Sequence, residues 1–146
     1  MTLRMVAGRP IAEDAEDLRH WLSSLTGCPS VTRAVLATCE EPVHDEPLTW
    51  FYVEADAQAG VARRRCLGCG RTRHLLDSEE HWTAPHMWQC PGCGQSIAEV
   101  AVGLHEADER VEWVVVAARC VECGMISGLT DVLVDRLPLD EVLSRV

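Results

Sequence analysis

Apolar residues near the start of this chain recur at the period of a helix. Between 10 and 27 they are spaced three and four positions apart, as on one helical face. These residues are Ile11, Ala15, Leu18, Leu22 and Leu25. Pro10 suits a first turn, acidic residues follow it at the positive end of the helix dipole, and Gly27 is a stop signal. The pattern predicts an amphipathic helix over 10–27 that packs on a sheet.

From residue 31 onward the pattern changes to the alternation and β-branched runs of strands. The predicted strands span 31–38, 48–55, 61–65, 71–76, 97–105, 111–118 and 125–134. One face of 97–105 is apolar throughout and carries Ala98, Val100, Val102 and Leu104. The segment 111–118 is apolar on nearly both faces, which indicates a central strand. Pro138 opens a short helix over 138–146 with Leu139, Val142 and Leu143 toward the core.

These elements predict a mixed α+β fold, mainly antiparallel β, in a single domain over 1–146. At 146 residues the chain can bury a core, yet it is short enough for bound metal to matter to stability. No apolar run approaches the ~20 residues of a membrane span, and no signal-peptide pattern stands at the start. We therefore expect a cytoplasmic protein without membrane contact.

One five-residue motif, Cys-x-x-Cys-Gly, occurs three times, and each copy is termed a knuckle. The copies span 66–70, 90–94 and 120–124. At a hairpin tip, a knuckle turns two thiolates toward one point, and its Gly takes a position that needs positive φ. Each knuckle is therefore half of a tetrahedral metal site. Eight cysteines in a reducing compartment indicate metal rather than disulfides.

The chain also matches itself at an offset of 54 residues, which lays 39–77 on 93–131 without a gap. The matched metal-site positions are Cys39 with Cys93, Cys66 with Cys120, Cys69 with Cys123 and Gly70 with Gly124. We interpret the match as two related units, 31–77 and 86–134, each built as strand, turn, strand, knuckle and strand.

In the second unit, a hairpin with its turn at 106–109 brings the third knuckle back beside the second. One metal is then held by Cys90, Cys93, Cys120 and Cys123. Residues 86–134 resemble a zinc ribbon, in which four cysteines on two knuckles lie at one end of a β-hairpin. The 26 residues between Cys93 and Cys120 fit that family's usual loop. The resemblance implies a bound zinc ion and specifies no function.

In the first unit, three ligands are predicted: Cys39, Cys66 and Cys69. Either His44 or Cys28 could supply the fourth. An extended chain from Cys28 to Cys39 would span ~35 Å, so Cys28 reaches the site only if that segment folds back. His44 reaches more easily, although a lone His in an acidic loop is often solvated.

A rival pairing joins Cys66 and Cys69 with Cys90 and Cys93. The run 88–94 resembles the second iron-binding knuckle of rubredoxin, which implies iron. However, Arg71 stands where that family usually has an aromatic residue, and the third knuckle would lack a partner. We expect two zinc ions in preference to iron.

Charge is unevenly distributed along the chain. The net charge of −10 opposes a general attraction to nucleic acid. All 13 basic residues are arginines, and five of them surround the first knuckle: Arg63, Arg64, Arg65, Arg71 and Arg73. On a strand, Arg63 and Arg65 project to one face and Arg64 to the other, so the five cannot line one groove. We expect them to pair with carboxylates; the alternative is that they bind nucleic acid or an acidic partner.

One fragment resembles an enzyme motif, since His44-Asp45-Glu46 followed by Cys66 and Cys69 is similar to the zinc deaminases. In that family a Pro precedes the Cys pair, and both the His-x-Glu part and the Cys-x-x-Cys part of the motif lie at the start of helices. In this chain Arg65 precedes Cys66, and the surrounding pattern predicts a hairpin. Zinc held by four thiolates has no open position for water or substrate. We therefore expect a non-catalytic zinc-ribbon protein that interacts with or regulates another protein. A nucleic-acid-binding module and a thiol redox sensor are the alternatives.

Overall fold

The computed structural model describes residues 3–25 and 30–146, and most of its regular backbone is antiparallel β. The strands are β1 Arg4–Val6, β2 Arg9–Ile11, β3 Arg33–Leu36, β4 Phe51–Asp56, β5 Val61–Cys66, β6 Thr72–His74, β7 Ile97–Ala107, β8 Arg110–Cys120 and β9 Ile126–Pro138. The helices are α1 Ala15–Ser23 and α2 Leu139–Leu143. The predicted class, mainly antiparallel β with two helices, is confirmed for this part of the chain.

All strands after β2 form one sheet. Its order is β6-β5-β4-β7-β8-β9, and β3 pairs with β7 beside β4. β3 and β4 share one edge of β7, because Leu36 lies opposite Ala101 and Phe51 lies opposite Ala98. β8 pairs on both sides, with β7 and β9, so the central position predicted for 111–118 is confirmed.

One row of the sheet connects the ends of β5 and β8. Cys66 lies opposite Phe51, Phe51 opposite Ala98, and Ala98 opposite Cys120. Directly paired residues project to the same face of a sheet, and all four of these side chains are buried. The first and third knuckles therefore lie at the same end of the sheet, three strands apart.

The two faces of the sheet bury different sets of residues. One face holds the larger core, which includes the four residues selected by the alternation of 97–105: Ala98, Val100, Val102 and Leu104. α2 adds Val142 to this core. On the other face, the buried Leu18 and Leu22 of α1 pack in a cluster with Ala101 and Ala117. The predicted inward faces of 97–105 and of α2 are confirmed. For the N-terminal helix, Leu18 and Leu22 are confirmed, whereas Ile11 lies in β2.

α1 is shorter than the helix predicted over 10–27. It begins at Ala15, because the extended residue Asp14 caps it with a carboxylate that accepts a hydrogen bond from the Asp17 N–H at 2.9 Å. The Asp17 carboxylate accepts in return from the Glu13 N–H at 3.1 Å. This reciprocal cap fixes the start of the helix. Pro10 lies in β2, an edge position where a missing N–H is tolerated.

Two further boundaries differ from the sequence pattern. β9 continues to Pro138, so the helix predicted over 138–146 is confined to Leu139–Leu143. The β1–β2 hairpin was not predicted, because its strands have only three residues each. The predicted stop at Gly27 lies outside the described residues. Within the described ranges, no helix has the length and apolar character needed to cross a membrane.

Candidate metal centres

The three knuckles share one backbone geometry. In each, the N–H of the first Cys donates to the carbonyl oxygen five residues later, and the Gly N–H donates to the carbonyl oxygen of the first Cys. The first bond measures 2.9 Å from Cys66 to Arg71, 2.8 Å from Cys90 to Gln95 and 2.9 Å from Cys120 to Met125. The glycine φ angles are +76° at Gly70, +80° at Gly94 and +79° at Gly124. The predicted need for positive φ at these glycines is confirmed.

The second and third knuckles meet as the sequence predicts. The β7–β8 register places Cys120 opposite Ala98, which brings the end of β8 back to the segment that precedes β7. The resulting group, called the second cluster, consists of Cys90, Cys93, Cys120 and Cys123. Cys90 Sγ lies 3.5 Å from Cys123 Sγ, and Cys93 Sγ lies 3.5 Å from Cys120 Sγ. The four sulfurs therefore surround one point.

The first knuckle meets a loop rather than another knuckle. The group, called the first cluster, consists of Cys39, His44, Cys66 and Cys69. Cys39 Sγ lies 3.8 Å from Cys69 Sγ, and His44 Nε2 lies 3.4 Å from Cys66 Sγ. Two backbone hydrogen bonds between Cys39 and Leu48, of 2.7 and 3.0 Å, close the loop that carries His44.

The structure places one of the two candidate fourth ligands in the first cluster and excludes the rival pairing of knuckles. His44 occupies the fourth corner of the first cluster, whereas Cys28 lies outside the described residues. The rival pairing of Cys66 and Cys69 with Cys90 and Cys93 does not occur, since these two knuckles belong to different clusters. Both clusters offer four donor atoms, unlike the three-ligand site of a zinc deaminase.

Both clusters have the dimensions of a tetrahedral metal site. Zn–S bonds of ~2.3 Å place two sulfurs ~3.8 Å apart, and a Zn–N bond of ~2.0 Å places sulfur and nitrogen ~3.5 Å apart. The sulfur pairs lie 3.5–3.8 Å apart and the sulfur–nitrogen pair 3.4 Å apart. Disulfide sulfurs lie only ~2.0 Å apart, and the described cysteines are all free thiols. Each cluster can therefore hold one metal ion.

The thiols within the clusters differ in acidity. Burial opposes ionisation of Cys66, but hydrogen bonds from the backbone of Cys69 and Gly68 and the neighbouring thiols lower its pKa to about 7. Burial raises the pKa of Cys123 to about 12, and the thiols around it add to the rise. Crowded thiols ionise together only when a cation compensates their charge. A divalent metal supplies this charge and displaces the protons when it binds.

The 26-residue segments of the two units differ in how much of their length forms strands and how much forms loops. Cys39 and Cys66 are separated by 26 residues, as are Cys93 and Cys120. In the second unit most of that length forms β7 and β8, with eleven residues each. In the first unit β4 and β5 have only six residues each. The shorter hairpin leaves chain for the loop that brings His44 to the first cluster.

Carboxylate pairing was expected for all five clustered arginines, and two of them have carboxylate partners among the described residues. Arg63 donates to both carboxylate oxygens of Glu54, at 2.9 and 3.1 Å. Arg71 donates to Glu41 at 2.9 Å. Arg65, an exposed residue, has no carboxylate partner among the described side chains. The alternation of β5 places Arg65 on the same face as Arg63.

Arg64 and Arg73 occupy the opposite face, directly across from each other on β5 and β6. Arg64 is 3% exposed and donates to the carbonyl oxygen of Thr38 at 3.1 Å and to a main-chain oxygen of Val146 at 2.9 Å. Arg73 donates to the Ser144 carbonyl oxygen at 2.5 Å. The five arginines therefore do not line one groove, as the alternation predicted.

Sequence reasoning missed a buried ion pair that fixes the start of α1. Arg119 on β8 contacts Glu99 on β7 at 2.6 Å, and only about a tenth of each side chain is exposed. Arg119 also donates to the Ala12 carbonyl oxygen at 2.9 Å, and Thr49 donates to Glu99 at 3.2 Å. The only signal in the sequence was that a carboxylate and an arginine lie in neighbouring predicted strands.

A mostly apolar cavity beside the first cluster was also missed. It has a volume of about 370 Å³ and is lined by Pro47, Leu48, Thr49, Trp50, Leu67 and Gly68. Trp50 is 47% exposed and Leu67 is 37% exposed, which is unusual for such large apolar side chains. The Leu67 N–H donates to the Trp50 carbonyl oxygen at 3.1 Å, so the two residues are held together.

No protein-family model, curated protein or solved structure matches this chain. What the clusters can do therefore follows from their geometry and donor chemistry.

Proposed function

We propose that the chain is a non-catalytic zinc-binding protein whose two ions build a scaffold for contact with another protein. The observation that carries the proposal is the pair of clusters, each with four donor atoms within 4.8 Å of one another. An ion held tetrahedrally by four protein donors has no open position for water or substrate. Such an ion stabilises the fold and does not bind or activate a substrate.

Zinc suits both donor sets. Three thiolates and one imidazole are typical of structural zinc, and four thiolates also bind zinc well. Four thiolates suit iron equally in geometry, whereas the mixed set of the first cluster favours zinc. We assign zinc to both clusters, in a protein of the reducing cytoplasm.

We further propose that the clusters belong to two related zinc-ribbon-like units. The shared hydrogen bonds of the three knuckles support this relation. The relation between the units is also supported by their equal spacing, since 26 residues lie between Cys39 and Cys66 and 26 between Cys93 and Cys120. On this interpretation, the first unit replaced one knuckle by the Cys39–Leu48 loop and kept the tetrahedral donor set.

Elemental analysis of protein purified under reducing conditions tests the metal assignment. We expect two zinc ions per chain, and one in either Cys120→Ser or His44→Ala. His86→Ala is the matched control for the histidine variant, because His86 is exposed and outside both clusters. A single ion or iron in the wild type would contradict the assignment, as would two zinc ions in His44→Ala.

The partner-binding surface that we propose is the apolar cavity lined by Trp50 and Leu67. Exposed tryptophan beside an apolar pocket is characteristic of protein contact sites. Selection of a displayed peptide library on the zinc-loaded protein tests this surface. We expect the selected peptides to lose binding to Trp50→Ala and to keep it with Leu133→Ala, a control residue that is 76% exposed. Equal binding to both variants would exclude this surface.

A nucleic-acid-binding function is a second candidate, favoured by stacking between arginines and aromatic rings. The Arg63 guanidinium lies 4.3 Å from the Trp82 ring centre, and that of Arg65 lies 5.0 Å from the Tyr52 ring centre. Such surfaces stack single-stranded bases. Glu54 already pairs with Arg63, however, and the net charge of −10 opposes phosphate binding. Submicromolar binding of an unstructured oligonucleotide, abolished in Arg63→Ala/Arg65→Ala with zinc retained, would favour this candidate.

A thiol redox sensor is the third candidate, because Cys93 of the second cluster is exposed. A peroxide would accept two electrons from two thiolates, which would form a disulfide and release the metal. Zinc release by peroxide that a thiol reductant reverses would favour this function.

A further inference from the structure

Exposed apolar side chains are concentrated at the end of the sheet that carries the metal clusters. In the described part of the chain, seven large apolar side chains are exposed, and five of them lie in or next to the Cys39–Leu48 loop, in the first knuckle or in the β1–β2 hairpin. These five are Val43, Trp50, Leu67, Met5 and Val6. Exposed apolar surface that is gathered in one place is characteristic of a contact site.

The β1–β2 hairpin is attached to this end of the sheet by the third knuckle. Ile11 forms an isolated antiparallel bridge with Met125, and the Arg9 guanidinium lies 3.6 Å from the Met125 sulfur. Met5 projects to the opposite face of the hairpin from Arg9 and Ile11, and it is 65% exposed. The hairpin therefore presents Met5 away from the knuckle that holds it.

The hairpin and the Cys39–Leu48 loop carry opposite charges. The hairpin contains Arg4 and Arg9 and no acidic residue, and neither arginine has a carboxylate partner among the described side chains. The loop contains four acidic residues, of which Asp45 and Glu46 are exposed and have no cationic partner in the described ranges. Two such surfaces are electrostatically complementary, and this attraction opposes the repulsion between copies with a net charge of −10.

The apolar cavity lined by Trp50 and Leu67 can take the Met5 side chain of a second copy. Its volume of about 370 Å³ leaves room for a flexible, unbranched side chain. Methionine adapts its shape to contact surfaces, and its sulfur contacts aromatic rings favourably. Trp50 supplies such a ring in the cavity wall. Glu46 adjoins Pro47 of the same wall, where its carboxylate can pair with an arginine of the docked hairpin.

The cavity and the hairpin lie at the same end of the sheet. The row from Cys66 to Cys120 places the first and third knuckles three strands apart, which corresponds to about 14 Å. Leu67 of the first knuckle lines the cavity, whereas the third knuckle holds the hairpin. A two-fold axis through this end of the sheet therefore brings the hairpin of each copy to the cavity of the other. Such a reciprocal contact closes after two copies.

We propose that the chain forms a two-fold symmetric dimer in which Met5 of each copy fills the Trp50 cavity of the other. The inference rests on the proposed contact function of that cavity and identifies its partner as a second copy. Each contact depends on both metals. Leu67 in the cavity wall lies between two ligands of the first cluster, and the third knuckle, which belongs to the second cluster, holds the hairpin. Removal of zinc should therefore dissociate the dimer.

Sedimentation equilibrium of the zinc-loaded full chain tests the proposal. We expect a monomer–dimer equilibrium with a Kd below about 50 μM at about 50 mM salt, and weaker association at about 0.5 M salt. Met5→Ser and Trp50→Ala should each weaken dimerisation about tenfold or more. Both side chains are exposed, so their loss leaves the core intact. Leu133→Ala is the matched control, since Leu133 is exposed on β9 and lies outside the contact. It should dimerise as the wild type does.

A mixture of Met5→Ser and Trp50→Ala distinguishes this reciprocal contact from other modes of association. Each variant alone loses both contacts of its dimer. The mixed dimer keeps one intact contact, between Met5 of one copy and Trp50 of the other. We therefore expect the mixture to associate about fivefold or more tightly than either variant alone.

Four outcomes would overturn the proposal. They are a monomeric wild type at concentrations up to about 1 mM, dimerisation of Met5→Ser equal to that of the wild type, equal losses in Leu133→Ala and Trp50→Ala, and no gain on mixing. A monomeric wild type whose selected peptides still need Trp50 would overturn the second copy as partner and leave the proposed contact function intact. Zinc content measured on every sample separates failure of this contact from failure of the metal assignment.

Discussion

Gly68 and Gly92 occupy the same position in two knuckles, but they have different neighbours. A Cβ at Gly68 would lie 2.9 Å from His44 Cε1 and would also meet the Leu48 side chain. A Cβ at Gly92 would meet the methyl end of Met125, which is flexible and can move away. The first knuckle therefore needs glycine to admit the imidazole ring, whereas the second does not need it for its thiolates.

We expect Gly68→Ala to weaken zinc binding at the first cluster about tenfold or more, because the added methyl group displaces the His44 ring. Gly92→Ala should change zinc affinity little. Competition with a chromophoric chelator measures both affinities on matched preparations. Equal affinities in the two variants would show that the close approach to His44 does not matter for the metal.

The sequence predicts single positions well where their chemistry is local. The repeated Cys-x-x-Cys-Gly motif predicts positive φ at the knuckle glycines. A hairpin with two strands of nearly equal length predicts the four ligands of the second cluster. The place of His44 in the first cluster did not follow, because it depends on how the chain after Cys39 folds back to Leu48. The capping role of Asp14 was also missed, since several acidic residues near it are equally plausible caps.

At the scale of single elements, the β7–β8 hairpin is long but has an unfavourable turn. Its two turn residues, Asp108 and Glu109, have φ of +53° and +62°. Two-residue hairpin turns with two positive φ angles favour Asn-Gly or Asp-Gly, because a side chain strains this conformation. The eleven-residue strands on either side therefore hold a turn that the local sequence does not favour.

Glu109→Gly should raise the free energy of unfolding by about 0.5–1 kcal/mol, because glycine adopts positive φ without strain. Ala107→Gly, at the end of β7, is the control and should lower it by a similar amount. Urea unfolding of the zinc-loaded protein measures both changes. A stability loss in Glu109→Gly would mean that the glutamate side chain contributes more than its backbone strain removes.

A second element-scale feature is the attachment of α1 to the sheet through Arg119 and Glu99. Arg119→Met would leave the Glu99 carboxylate buried without its partner. We expect a loss of about 3 kcal/mol in the free energy of unfolding. Arg119→Met/Glu99→Leu should recover part of this loss, because it removes both buried charges. If the double variant is no more stable than Arg119→Met, hydrogen bonds to Ala12 rather than the ion pair dominate.

The arrangement of the whole molecule could be predicted only in part. The antiparallel class and the inward faces of 97–105 follow from period-two patterns. The sharing of one β7 edge by β3 and β4 does not, because it depends on contacts between residues distant in sequence. The short β1–β2 hairpin gives too few positions for any pattern. Yet this topology sets the row Cys66, Phe51, Ala98 and Cys120, which places both clusters at one end of the sheet.

Loss of one metal should therefore loosen one part of that end rather than unfold the whole chain. In His44→Ala we expect amide hydrogen exchange to accelerate about tenfold or more over 39–48, β5 and β6, which the first cluster ties together. β8 and β9 should keep their protection, because α1, α2 and the second cluster still hold them. In Cys120→Ser the faster exchange should instead appear over 90–97 and at Ala12, whose N–H donates to the Gly124 carbonyl oxygen at 2.8 Å.

Exchange at β4 should distinguish local from shared stabilisation, because Phe51 lies between the two clusters in the common row. We expect a smaller acceleration at Phe51 in both variants than at the strand nearest the lost metal. His86→Ala, with both clusters intact, should exchange as the wild type does. Uniform acceleration over all strands in His44→Ala would contradict this expectation and show that both ions support one cooperative unit.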